Sequence, residues 1–211
     1  MRITYDLIDS KQDITLGKWL EYGNISNTED VDIKFLQAKR LEIFAGLSLE
    51  DALLLEQWRI DEIEERISII TNEENKFVTT FEFGGIEYGF IPDFSEFVTS
   101  RELIDADFYL EKQDHVRLLS ILYRPISFKD GDKYRIDPYT KTHTLFKDLR
   151  YDIYEASMGF FLNGLLILGQ ATLRFIEDNL KETKMSSLEK HNLLKSMEDI
   201  QKWYTSFQVV I

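Results

Sequence analysis

Alternating residues before a pair of glycines predict a β-hairpin in the middle of this 211-residue chain. Phe77, Thr79, Phe81 and Phe83 would share one face of a strand, because successive side chains of a strand point to opposite faces. The glycine pair at 84–85 favours a two-residue turn, since glycine readily adopts the positive φ values that such turns require. The next residues, IEYGFI, suit the returning strand. A small β-hairpin is therefore expected between residues 77 and 91.

The residues before this hairpin predict a short strand and a first helix. Residues 2–8 are rich in β-branched and aromatic side chains, as strands are. Asp13 or Thr15 is suited to capping a helix that ends near Tyr22, before Gly23 and Asn24.

Two further helices are expected to form an αα-hairpin. They span about 28–45 and 48–70, and the Gly-Leu-Ser sequence between them is a suitable turn. Apolar residues at helical spacing mark the face of the second helix that should be buried: Leu54, Trp58, Ile63, Ile67 and Ile70.

The second half of the chain is expected to be mainly helical. Helices are predicted within 95–110, capped by Thr99 or Ser100, and over 112–123, ended by Pro125. The Asp130-Gly131 pair indicates a second small hairpin or an exposed loop. Long helices are predicted over about 148–181 and 188–204.

The predicted fold is thus α+β and mainly helical, with an N-terminal αα-hairpin, a small β-hairpin and long C-terminal helices. Residues 1–75 and 76–211 would form its two parts and pack as one compact unit.

Composition excludes several classes of partner and site. The chain has 38 acidic and 25 basic residues, a net charge of −13, so it should repel nucleic acid phosphates. It has no cysteine, and hence no disulfide, thiolate metal site or cysteine nucleophile.

The charged N-terminus does not resemble a secretory signal. Residues 156–173 lack charge, but their polar residues, glycines and acidic flanks favour a buried helix over a membrane span.

Residues suited to catalysis are not grouped in the sequence. His115, His143 and His191 lie on separate segments without metal-ligand spacing. Asp130 and Asp132 flank Gly131, and Asp137 follows, but the order of ligands in a cation-binding loop is missing, so a turn is the better interpretation. We therefore predict no enzyme activity, no catalytic or metal-binding residues and no cofactor.

Basic residues between positions 117 and 150 contrast with the acidic helix at 50–65. Opposite charges on two sides of a subunit would suit head-to-tail contacts in a ring, although an ordinary mixed surface is the simpler alternative. The basic residues are Arg117, Arg124, Lys129, Lys133, Arg135, Lys141, Lys147 and Arg150. Arg124 follows a predicted helix end, where a guanidinium can bind free backbone carbonyls.

Several motifs together resemble small structural proteins of crAss-like and related tailed bacteriophages that infect Bacteroidetes. They lie mostly in the second half of the chain, at Phe81, Phe83, 88–93, 102–105, 122–126, 134–139, Phe160 and Phe161. The resemblance implies a virion protein near the portal and tail, where such proteins form rings, and it carries over no catalytic residue. It implies other phage structural proteins, portal or tail subunits, as partners, synthesis in the bacterial cytoplasm and incorporation into the virion.

The site residues predicted from the sequence are candidates for subunit interfaces, with core packing as the alternative for each. They are Tyr88, Phe90, Ile91, Arg124, Phe160 and Phe161. An assembly chaperone absent from the mature particle is the second hypothesis, since either protein needs an apolar patch. A small enzyme with an acidic metal site and a membrane protein are further alternatives.

Overall fold

A computed structural model of the chain describes residues 6–28, 30–92, 99–140 and 146–179, and also 186–189, 191–192 and 195. Helix and sheet are mixed, with helix predominating, as the sequence predicts. The chain divides into two compact units, Met1–Tyr154 and Glu155–Ile211. The division after residue 75 stays a prediction.

The first unit begins with four helices: α1 (Leu16–Ser26), α2 (Ile33–Ala45), α3 (Leu49–Leu54) and α4 (Gln57–Thr71). Residues 6–8 do not form the predicted strand, and the rest of that prediction, 2–5, lies outside the described residues. Instead, the backbone amides of Asp6 and Ile8 bind carbonyls at the end of α2.

Side-chain caps fix the starts of three of these helices. Thr15 accepts a hydrogen bond from the Lys18 amide, Asp32 binds the first turn of α2, and Ser48 binds that of α3. The predicted end of α1 at Tyr22 is wrong, since the helix continues through Gly23 to Ser26. A glycine weakens a helix by only about 1 kcal/mol, and favourable packing can offset that cost.

The predicted helix over 48–70 is broken into α3 and α4. Leu55 and Glu56 are extended, with ψ values of 145° and 140°. No proline or glycine lies at the break, so the local sequence does not explain it. The predicted apolar face is correspondingly only half right: Ile63, Ile67 and Ile70 are buried, whereas Leu54 and Trp58 are exposed.

Two hairpins join into one antiparallel sheet in the order β1-β2-β3-β4. Its strands are β1 (Thr80–Phe83), β2 (Ile86–Phe90), β3 (Tyr123–Asp130) and β4 (Lys133–Ile136). The first hairpin is as predicted: Gly84 and Gly85 have φ values of 60° and 77°, as a type I′ turn requires. The second, around Gly131, confirms the hairpin alternative.

Helices α5 (Ser100–Glu111) and α6 (His115–Leu122) lie between β2 and β3 in the chain. Thr99 caps α5, in agreement with the sequence. Helix α6 ends before Pro125, as predicted, but the chain passes from Leu122 directly into β3, where Pro125 pairs with Tyr88. Proline therefore occupies a strand position here.

Aromatic side chains form the core beneath the sheet. Phe146 is fully buried, and its ring centroid lies 5.9, 5.4 and 5.2 Å from those of Phe81, Phe83 and Tyr88. Tyr123 packs against Phe81 at 4.8 Å. Residues on the predicted hairpin thus supply much of the core.

Backbone bonds join the residues at the start of α1 to those at the start of a long helix, α7 (Tyr151–Asn179). The Leu16 amide donates to the Leu149 carbonyl and the Tyr151 amide to the Ile14 carbonyl, each at 2.8 Å. Trp19 stacks on Tyr151 with ring centroids 4.1 Å apart. These contacts connect distant parts of the first unit.

The second unit contains the continuation of α7. Phe161 and Leu162 are buried there, whereas Phe160 is 48% exposed. Of the predicted helix over 188–204, only residues 188–189, 191–192 and 195 are described. Within the part of the chain that is described, no helix has the length and apolar character needed to span a membrane.

Candidate functional site

The first unit contains a buried ion pair beside a cavity. Arg124 lies at the start of β3, where its backbone pairs with Gly89 of β2. Helix α5 brings Glu102 to it, and Arg124 Nη1 lies 2.7 Å from Glu102 Oε1. Only 9% of the Arg124 side chain and 1% of the Glu102 side chain are exposed.

The first turn of α5 orients Glu102. The Thr99 hydroxyl accepts from the Glu102 amide, and Glu102 Oε2 accepts from the Thr99 amide at 2.6 Å. This reciprocal pair is a capping box. The cap therefore leaves Glu102 Oε1 directed to Arg124, and one carboxylate serves both the helix end and the ion pair.

The guanidinium of Arg124 is only partly satisfied. Its Nη1 is close enough to Glu102 for charge attraction, but neither Glu102 Oε1 nor Arg124 Nε makes an aligned hydrogen bond among the described residues. Burial lowers the pKa of Arg124, and the negative charge of Glu102 opposes that shift. The expected role of Arg124, binding carbonyls at the end of its own helix, is replaced by this pairing with α5.

Two tyrosines hold the neighbouring segments. The Tyr134 hydroxyl on β4 donates to the Phe90 carbonyl at 2.8 Å. The Tyr139 hydroxyl donates to Asp105 of α5 at 2.9 Å. Burial, followed by the bond and negative charge of Asp105, raises the pKa of Tyr139. Both phenols therefore stay neutral and serve as hydrogen-bond donors.

The cavity beside the ion pair has a volume of about 590 Å³. Apolar surface comes from Pro92, Ile136 and Pro138 together with Tyr134 and Tyr139, and charged groups come from α5, β3 and β4. A second recess of about 380 Å³ also contacts Arg124 and shares the residues 137–139. Arg124 thus borders two adjoining spaces.

Close packing of the sheet beside this cavity requires a glycine at position 89. A Cβ atom there would lie 2.4 Å from Tyr134 Cε2 and 3.1 Å from Ile126 Cγ1. Gly89→Ala is expected to lower the free energy of unfolding by about 1–3 kcal/mol, as overpacking does. Urea denaturation followed by circular dichroism measures this change.

Gly23→Ala is the matched control, because no atom lies within 4 Å of the added methyl group on α1. It should raise stability by about 0.5–1 kcal/mol. Equal stability of Gly89→Ala and the unmodified protein would contradict the close approach of Tyr134.

The predicted interface residues are spread over the fold. The structure brings together Tyr88, Phe90, Ile91 and Arg124, which are buried on β2, immediately after it and on β3. Phe160 and Phe161 lie on α7, one exposed and one buried. An interface role for these six residues stays a prediction.

Sequence reasoning did not identify Glu102, Tyr134 and Tyr139 as neighbours of Arg124. The position of Glu102 at the start of α5 could have been predicted, since a threonine three residues before a glutamate is the pattern of a capping box. No sequence pattern predicts the contacts of the two tyrosines, because these contacts join β4 and the residues after it to distant β2 and α5.

The acidic and histidine residues that were considered for metal binding are dispersed. Asp130 and Asp132 lie at the β3–β4 turn, whereas Asp137 borders the cavity. His143 lies outside the described residues. In the described ranges, no group of three or more potential ligands could hold a metal ion.

His115 contacts Tyr154, whose hydroxyl oxygen lies 2.9 Å from Nδ1 of the imidazole. Burial lowers the pKa of His115, and the neighbouring Asp114 opposes that shift. The unfolded chain then binds a proton more readily than the folded one, so stability should fall as the pH drops below about 6.5.

His115→Gln is expected to lessen this loss of stability between pH 7.5 and pH 5.5, as denaturant titrations at each pH would show. The two proteins differ only at position 115, so the difference between their pH dependences reports on His115. An unchanged pH dependence would contradict the prediction.

Comparisons with protein-family models, curated proteins and solved structures found no match to this chain.

Proposed function

We propose that this chain is a non-enzymatic structural subunit of a tailed-bacteriophage particle, in a homo-oligomeric ring or connector near the portal and tail. The motifs at Phe81, Phe83, 88–93, 122–126 and 134–139 support it through their resemblance to such proteins. The proposal includes long C-terminal helices, although most of residues 188–204 lie outside the described residues. It involves neither direct binding of nucleic acid nor a membrane.

Three exposed apolar side chains near the break between α3 and α4 are the structural observation that supports the proposal. Leu53, Leu54 and Trp58 lie within six consecutive residues at the break between α3 and α4, and they are 60%, 60% and 57% exposed. Grouped apolar side chains on a surface are typical of protein–protein contacts. We call these three residues the α3–α4 patch.

Charge contributes less to the proposed contacts than the sequence suggests. Arg117, Arg124, Lys129 and Arg150 pair with acidic residues of the same chain. Lys133, Arg135 and Lys147 are exposed and can still face the acidic surface of a neighbour. The α3–α4 patch is therefore the better place to test assembly.

Quantitative mass spectrometry of purified virions tests the proposal. A fixed copy number at a multiple of a ring symmetry supports a structural subunit. Expression in infected cells with absence from particles would instead support an assembly chaperone, which an acidic protein with an exposed apolar patch also suits.

Substitutions in the α3–α4 patch test whether these residues make the contact that incorporation into particles requires. Trp58→Glu and Leu54→Glu should reduce incorporation into particles, because a charge in an apolar contact is costly to bury. Phe128→Glu is the control, since Phe128 is 57% exposed but lies on β3. Equal incorporation of all three variants would exclude the α3–α4 patch as the contact.

A further inference from the structure

The sheet has an open edge on each side in the described part of the chain. β1 and β4 are the outer strands of the order β1-β2-β3-β4, and no other described strand pairs with them. No residue of β1 or β4 is buried. The outer side of an edge strand presents backbone N–H and C=O groups that a further strand can bind.

The pairing of β1 with β2 shows which residues of β1 direct their backbone groups outward. In an antiparallel pair, alternate residues exchange bonds with the partner strand, and the residues between them face the other side. The Phe90 amide donates to the Thr79 carbonyl at 2.8 Å, just before β1 begins. The backbone groups of Thr80 and Glu82 therefore point away from β2.

The same alternation applies to β4. The Asp137 amide donates to the Pro125 carbonyl at 2.8 Å, just after β4 ends. The irregularity in this pairing lies on β3, between Ile126 and Phe128, so β4 itself alternates without interruption. Counting back from position 137, the residues of β4 at 136 and 134 direct their backbone groups outward.

These two edges match in register. When β1 of a second copy lies antiparallel to β4, one alignment places Glu82 opposite Tyr134 and Thr80 opposite Ile136. Every residue with outward backbone groups then meets another such residue, and each pair can exchange both of its bonds. An extended strand is the ligand that such an edge binds, and this chain itself contains a suitable one.

Side chains favour pairing of unlike edges over pairing of two β4 edges. In the same alignment, Phe81 lies opposite Arg135 and Phe83 lies opposite Lys133, and cations are attracted to aromatic rings. Arg135 already makes such a contact within its own chain, 5.8 Å from the centroid of the Phe128 ring. Two β4 edges would bring the cations of one copy against those of the other, and like charges opposite each other are destabilising.

Strand directions make the contact suitable for a ring. Each strand of the sheet is antiparallel to the next, so β4 runs opposite to β1. A second β1 placed antiparallel to β4 therefore runs in the same direction as the first. Successive copies then keep one orientation about an axis along the strands, and a head-to-tail contact of this kind closes into a ring when the rotation fits.

We propose that β1 of one copy of this chain pairs with β4 of the next copy, with Glu82 opposite Tyr134, so that the sheet continues from copy to copy. The contact rests on the proposed ring and specifies how its subunits meet. It is separate from the α3–α4 patch, which is left to contact other proteins.

Sedimentation velocity of the full chain and of two proline variants tests the proposal. Glu82→Pro removes an outward amide of β1, and Ile136→Pro removes one of β4. Proline is tolerated on an edge strand where the amide faces outward, so both variants should fold, as near-ultraviolet circular dichroism would show. Each variant keeps one working edge.

The unmodified chain should form assemblies larger than a dimer, because each copy has two working edges. Each proline variant alone should be monomeric. An equimolar mixture of the two should give a one-to-one heterodimer and nothing larger, since only β4 of the Glu82→Pro variant and β1 of the Ile136→Pro variant can pair.

A charge reversal tests the contact without proline. Arg135→Glu should weaken self-association roughly twofold to fivefold, as the loss of an exposed cation–aromatic contact does. Arg66→Glu is the matched control, because Arg66 is an exposed arginine on α4, away from both edges. Equal association of these two variants would overturn the proposal, also where a proline variant fails to fold.

Further results would contradict the head-to-tail contact. They are a monomeric unmodified chain at millimolar concentration, a mixture of folded proline variants that stays monomeric, and a dimer of either proline variant alone. Oligomers that behave as expected while the chain is absent from virions would overturn the proposed function and leave this contact standing. A fixed copy number in virions together with proline variants that assemble normally would overturn this contact alone.

Discussion

Arg124→Met is expected to lower the free energy of unfolding by about 3–5 kcal/mol, because it leaves a buried carboxylate without its countercharge. Glu102 is 1% exposed, and its other oxygen is already held by the Thr99 amide, so it cannot turn to solvent without breaking the cap of α5. Urea denaturation followed by circular dichroism measures the loss.

A second change should restore most of this stability. Glu102→Gln combined with Arg124→Met removes both charges, and the glutamine oxygen can still accept from the Thr99 amide. Lys129→Gln is the control, since Lys129 and Glu87 form an ion pair with both side chains more than 40% exposed. It should cost about 0–1 kcal/mol. A loss below 1 kcal/mol for Arg124→Met alone would show that Glu102 is not isolated from water.

Phe146→Ala is expected to lower the free energy of unfolding by about 3–5 kcal/mol, as truncation of a buried phenylalanine does. The ring is fully buried against the first hairpin, with contacts to Phe81, Phe83 and Tyr88. Its removal leaves a cavity that rigid aromatic neighbours fill poorly. Denaturation gives the stability, and near-ultraviolet circular dichroism reports on the aromatic cluster.

Phe146→Leu should cost less than Phe146→Ala, because leucine fills part of the space. Phe128→Ala is the control: Phe128 is 57% exposed, and its truncation should change stability by about 0.5 kcal/mol or less. Equal stabilities for Phe146→Ala and Phe128→Ala would contradict the burial of Phe146.

Local chemistry made the first hairpin and three of the helix starts predictable. Gly84 and Gly85 adopt the positive φ values that their turn requires, and Thr15, Ser48 and Thr99 cap helices where the sequence places them. These features depend on interactions within a few residues, which a single sequence shows directly.

Features that depend on distant contacts were not predictable. The break at Leu55 and Glu56 has no local signal, and it separates the exposed Leu54 on α3 from the buried part of the predicted apolar face on α4. The union of two hairpins into one sheet depends on the pairing of β2 with β3, strands that are separated by two helices. Periodicity cannot show which strands pair.

The candidate site was predicted only in part for the same reason. Arg124 was singled out, but its partner was expected in its own helix. Glu102 lies 22 positions away, and its orientation depends on the way α5 packs beside β3. Tertiary packing determines which acidic residue pairs with a buried arginine. The spacing of residues in the sequence does not show that packing.

Because α6 passes directly into β3, residues cannot be inserted or deleted at this point of the chain without changing the fold. Because no linker separates Leu122 from Tyr123, an inserted residue would turn the helix by about 100° relative to the strand and reverse the faces of the strand's side chains. Tyr123 would leave the aromatic core and Arg124 would lose Glu102. The turn at Gly131 has no atom within 4 Å of an added methyl group. An inserted epitope tag therefore belongs at the β3–β4 turn, whereas length changes at the helix–strand junction should prevent folding.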